Sequence, residues 1–175
     1  MIIPRAAQIA FFPVAAVLAV GAYLGLRPTD ESRIRSKLDA LAVAVHITEA
    51  DMQTNPIGRL AHVSGAFEPL FDRDVRVSIP ELTTLGSGRR ELAELVTAAP
   101  RYARTFDVDF ESVTVKIDDA QTSALVGATA NVKALDRENR NRNDKRAVDF
   151  RFAKTDGEWI ITTVTVWPKS DAAPQ

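Results

Sequence analysis

Apolar positions along this chain are first continuous and then periodic. Ala6 to Leu26 reads AAQIAFFPVAAVLAVGAYLGL, a run without a charge between Arg5 and Arg27. At about 1.5 Å rise per residue it crosses a hydrocarbon core of about 30 Å, which predicts a transmembrane anchor over residues 1–27. Gln8 lies near one end, Pro13 is tolerable in a membrane helix, and Tyr23 suits the opposite interface. A cleaved signal peptide is the alternative, because Ala19 to Ala22 (AVGA) offers small residues at a cleavage position. Against it, the run exceeds the usual apolar region of about 7 to 15 residues.

From Pro28 the pattern turns helical. Thr29 and Asp30 are good caps, Asp30 and Glu31 complement the helix dipole, and Ile34, Leu38, Leu41 and Val45 share one face. Asn55 and Pro56 open a second helix carrying Leu60, Val63, Phe67 and Leu70. Asp74 to Pro80 alternates Val75, Val77 and Ile79 with polar residues, a strand ended by proline. A third helix presents Leu92, Leu95, Val96 and Ala99 and closes near Pro100.

Three long strands finish the chain. In Phe106 to Ile117 the apolar parity switches across Glu111 and Ser112, as a β-bulge requires. Ala124, Val126, Ala128, Ala130, Val132 and Ala134 line one face of the next strand. Val148, Phe150 and Phe152 mark the third, and Thr155-Asp156-Gly157 turns into Trp159 to Trp167, where parity shifts again. The prediction is an α+β domain over residues 28–168, a curved antiparallel sheet wrapped around N-terminal helices, with a polar tail at 169–175.

Charge narrows the function. Lys plus Arg number 22 and Asp plus Glu 23, a net charge of −1, so nothing draws the chain to nucleic acid. The absence of cysteine excludes disulfides, thiolate metal sites and cysteine nucleophiles. Basic residues Arg27, Arg33, Arg35 and Lys37 follow the apolar run, which the positive-inside rule taken literally would leave in the cytoplasm. They belong to the amphipathic helix, and the common bacterial single-span arrangement instead gives an inner-membrane protein with an extracytoplasmic domain. Residues 136–146, DRENRNRNDKR, read as a solvated hairpin tip, with a phosphate or anionic-lipid contact as the sharper alternative.

Candidate chemistry is sparse. No phosphate-binding glycine loop, HExxH or calcium loop is present, and no cofactor or metal is expected. His46 and His62 read as surface or capping residues, with a shared ligand or acid/base role as the alternative. An acid/base pair inside the fold would draw on Tyr102 as donor and on Glu111, whose direction at the bulge is ambiguous, whereas Asp107 and Asp109 should face outward. The small residues of the alanine-rich strand either admit a helix closely or leave a cavity. Such a cavity would be lined by Leu41, Val45, Phe67, Tyr102, Phe110, Phe150 and Trp159 and would suit a small hydrophobic ligand.

The segments LFDRDVRVSIP, GRRELAELV and TDGEWIITTVTVW, in this order of helices and strands, resemble the nuclear transport factor two-like superfamily, including its SnoaL-like and ketosteroid isomerase-like cone folds. The resemblance covers residues 29–167 and implies a cone with an open end. Its members serve as isomerases, dehydratases, binding modules and dimeric scaffolds, so the fold alone does not choose a function. An anchor followed by a cone also looks like bacterial envelope-assembly subunits, such as those of type IV secretion. The expectation is a membrane-anchored, non-enzymatic scaffold or accessory subunit acting on a protein partner or as a homodimer. The alternatives are a hydrophobic-ligand module and a cone-fold isomerase or dehydratase.

Overall fold

Thr29 opens the first helix, α1 (Asp30–Val45), by accepting the Ser32 N–H on its hydroxyl at 3.1 Å. The computed structural model describes residues 28–79 and 88–167. The predicted anchor and the polar tail lie outside the described residues, among which no helix is long and apolar enough to cross a membrane. Ile34, Leu38 and Leu41 are buried on one face of α1, as their spacing predicts. A 3-10 turn (Glu49–Gln53) leads to α2 (Pro56–Phe67), whose cap Asn55 accepts the Ile57 N–H at 3.0 Å. There Val63, Phe67 and, just past the helix, Leu70 are buried as expected, but Leu60 is half-buried and Arg59 is buried with them.

The chain continues through β1 (Phe71–Ser78), α3 (Arg89–Ala98), a 3-10 turn (Ala99–Arg101), β2 (Ala103–Ile117), β3 (Ser123–Asp136), β4 (Asn141–Thr155) and β5 (Glu158–Val166). These strands form one sheet in the order β1-β5-β4-β3-β2. From β2 to β5 every pairing is antiparallel, as expected, but β1 runs parallel to β5, with Val77 opposite Val164. The sheet is therefore mixed. Alternation in a strand reports which face is buried and not which way its partner runs, so this pairing had no signature in the pattern.

Both parity switches are bulges. Glu111 pairs with Thr129 and Thr114 with Gly127, which leaves one extra residue in β2, and Ser112 there takes a φ of 52°. In β5 the extra residue is Thr162, between the pairs Arg151–Thr163 and Phe152–Ile161, and its hydroxyl donates to the Arg151 carbonyl at 3.1 Å. A bulge bends its strand and increases the local twist, which curves the sheet over α1 and α2. Phe67 of α2 meets Phe71 edge-on at 5.0 Å, and Ile34, Leu38, Val126, Phe152 and Ile161 belong to the same core. Lys154 of β4 ties the start of α1 to the sheet through Asp30 at 2.7 Å. That hydrogen bond is the main reason the Asp30 carboxyl lies below its usual range.

The reading of residues 136–146 as one solvated tip needs correction. Asn141–Arg146 belong to β4 and pair with Leu135–Ala130 of β3, because ladder hydrogen bonds form between backbones whatever the polarity of exposed side chains. The turn is only the segment between Asp136 and Asn141, and Asp136 organises it. Its Oδ1 accepts the Glu138 and Arg140 N–H groups, each at 2.9 Å, and its Oδ2 accepts Arg140 Nε at 2.8 Å. The Arg140 N–H first, with the Arg140 side chain and the Glu138 N–H, outweighs desolvation and holds the Asp136 carboxyl at about 2. A depressed acid supports the folded turn above its ordinary value of 3.8 and loses that effect as pH falls through about 2. The Glu138 and Arg140 amide resonances are expected to titrate with a midpoint near 2 and well below 3.8, and Asp136→Asn to abolish that titration.

Candidate functional site

The concave face of the sheet is apolar by alternation. β2 presents Phe106, Val108 and Phe110, β3 presents Ala130 and Val132, and β4 presents Val148 and Phe150. Leu41 and Val45 of α1 and Leu92 and Val96 of α3 close over them, leaving a cavity of about 510 Å³. That volume lies within the range of small-molecule pockets, about 300 to 1,000 Å³. Among the described residues that line it, Arg146 alone is polar. Its Nε donates to Asp144 Oδ2 at 2.7 Å, two residues earlier on the same face of β4.

The alanine-rich strand leaves a cavity over part of its length. Ala124, Ala128 and Ala130 are all buried, and of the three Ala130, further along β3, lines the cavity. The cavity thus occupies the end of the sheet near the β3–β4 turn, and the end near the β4–β5 turn is filled.

Five expected lining residues, Leu41, Val45, Phe67, Phe110 and Phe150, line the cavity. Trp159 does not: it is 1% exposed and belongs to the filled end, beside the β4–β5 turn, with Lys154 Nζ 5.2 Å from its ring centre. Tyr102 does not either, being 76% exposed just past the 3-10 turn that ends α3, where the chain has already left the cavity wall. Glu111 is turned away from the cavity. The extra residue of the bulge is its neighbour Ser112, so Glu111 keeps the outward direction of Asp107 and Asp109. Lys145 donates to Glu111 Oε2 at 3.1 Å and Asn131 to Oε1 at 3.3 Å, and the lysine chiefly lowers the Glu111 carboxyl below its ordinary range. The structure therefore brings neither acid/base candidate to the pocket.

His46 ends α1 with its Nδ1 3.1 Å from Asp107 Oδ1, and His62 is exposed on α2. Among the described residues no group of histidines and carboxylates is placed to hold a metal ion. Sequence reasoning missed Arg146, which was read as part of the solvated tip; its position two residues before Val148 was the available signal.

No known family profile and no curated protein matches the sequence. Solved structures do match the fold. An NTF2-like protein with a cystatin-like fold from Novosphingobium aromaticivorans superposes with a TM-score of 0.58 at 15% identity, over 91% of this chain and 90% of that one. The chain has the nuclear transport factor two-like fold. A nuclear transport factor 2 (NTF2-like) superfamily protein from Salmonella enterica gives a TM-score of 0.54 at 13% identity, over 71% of this chain and 94% of that one. The Kfla4162 protein from Kribbella flavida gives 0.65 at 9% identity, over 81% and 91%. At such identities the likeness is one of fold, and what the nuclear transport factor two-like cone does here has to be read from its lining.

Proposed function

We propose that this chain is a binding module whose cone holds one small, predominantly apolar molecule, and that residues 6–26 tether it to a membrane. The cavity carries the reading: about 510 Å³ lined by aliphatic and aromatic side chains, with Arg146 as its polar group among the described residues. Burying apolar ligand surface against such a lining contributes about 25 cal/mol per Å² before the costs of association. The outer face of the sheet offers a protein partner less. It carries the pairs Asp109–Lys133 and Glu111–Lys145 at 3.7 and 3.1 Å, and Leu125 is its large exposed aliphatic side chain.

Native mass spectrometry of the full-length chain released from mild detergent is expected to show one retained apolar molecule per chain. Ala130→Leu places a larger side chain inside the cavity and is expected to lower that occupancy at least about tenfold, the scale on which a pocket senses an extra methylene. Retention that is absent, or equal in both proteins, sinks the proposal.

A further inference from the structure

We propose that a second cleft, separated from the cone by α3, binds a small oxyanion, a phosphate or a carboxylate. The two faces of α3 line different spaces. Leu92 and Val96 face the cone, whereas Glu94, Thr97 and Ala98 face a cleft of about 430 Å³ that is closed by the start of α2, the Glu49–Gln53 turn and Arg137 of the β3–β4 turn. Three arginines line it: Arg59, Arg101 and Arg137.

Arg59 is only 6% exposed, and although its Nη1 donates to Asp51, its buried Nε–H has no acceptor. Buried donors are rarely left so, and each one asks for an explanation. The Nε–H itself has no accessible surface, so an anion in the cleft meets Arg59 through the rest of its guanidinium. Arg137 donates through Nη2 to the Pro100 carbonyl at 2.6 Å, which covers an oxygen that would otherwise repel an anion and leaves the rest of its fork. Among the described residues no carboxylate pairs with Arg101 or Arg137. Both acids of the cleft are already engaged, Asp51 by Arg59 and Thr48, and Glu94 by Arg90 at 2.9 Å.

The first turn of α2 also lines the cleft, and a helix N-terminus adds a positive field. Planar guanidinium forks match the oxygens of carboxylate and phosphate. Met52, Ile57 and Leu60 give the cleft an apolar wall that a bare ion would not use, which fits an anionic group carried by a small molecule.

The test is calorimetric titration of the full-length chain, in non-ionic detergent, with inorganic phosphate and with acetate. One of the two is expected to bind saturably at one site, which names the anion. Arg101→Ala with Arg137→Ala is expected to weaken it at least about 100-fold, as the loss of two charge-assisted hydrogen bonds requires. Arg59→Lys, which keeps a charge facing Asp51 but removes the planar guanidinium fork, should weaken it about tenfold. Lys116→Ala, on the outer face of β2, should leave it unchanged, and an unaltered melting curve of the double variant shows that the fold is kept. Absence of saturation by either anion at about 10 mM, well above a millimolar Kd, overturns the proposal. So does binding that survives the double substitution.

Discussion

Phe150→Ala is expected to lower the unfolding free energy by about 3–5 kcal/mol, the largest effect of any single substitution considered. Phe150 is 1% exposed, meets Phe110 edge-on at 5.4 Å and lies 6.4 Å from Phe152. It stands on β4, in the middle of the sheet, between the filled end of the cone and the cavity. Truncation there loses the transfer free energy of the ring and also merges the new void with a cavity that is already open, so neighbouring side chains gain little by moving in. The companion change Phe110→Ala should cost less, since Phe110 is half-buried. Urea unfolding followed by the fluorescence of Trp159 measures both. A loss below about 1 kcal/mol for Phe150→Ala would mean that the cone collapses readily, and a collapsible cone is a poor container.

Arg59→Ala is expected to cost about 2–4 kcal/mol, because it strands Asp51 beside a half-closed cleft without its cation. Desolvation pushes the Asp51 carboxyl up, but the Thr48 N–H and hydroxyl, at 2.7 and 2.8 Å, together with Arg59 bring it below its ordinary value. An acid depressed in the folded state stabilises above that value of 3.8 and ceases to do so as pH falls below it. The difference between wild type and Arg59→Ala should accordingly narrow on acidification. Replacing both partners, Arg59→Met with Asp51→Asn, should recover most of the loss, since the larger part of it is the stranded charge. Thermal unfolding at pH 7 and near pH 3 decides the matter. An equal penalty at both would show that Arg59 acts through packing of its stem.

Much of the cone was legible because its core obeys two periods. Ile34, Leu38 and Leu41 marked α1, and the parity switches at Glu111–Ser112 and in β5 were read as bulges that the ladder registers show. The cavity was half legible. Inner-face alternation nominated Phe110 and Phe150, but a strand pattern says which face a residue takes and not which end of the sheet is filled, so Trp159 was assigned to the wrong end. Glu111 was undecidable in sequence, because either it or Ser112 could have been the extra residue, and the positive φ fell to Ser112. Arg59 was not among the residues read for the buried face of α2, where Leu60 was. Its four-residue spacing to Val63 and Phe67 was nevertheless the better fit to the buried face.

The parallel pairing of β1 with β5 also orders events in time. A chain made from its amino terminus presents Phe71–Ser78 before the residues that will flank it, Glu158–Val166, have been synthesised. The antiparallel run β2-β3-β4 joins neighbours in sequence and can zip locally, whereas β1 has to wait for the last strand and bear the entropy of a long closed loop. Until then β1 and the free side of β4 are both unpaired edges, the kind that seek strands on other chains. Acquisition of β5 is thus the step that commits the nascent domain, and a message truncated before codon 158 would yield a product prone to aggregate, not a smaller cone.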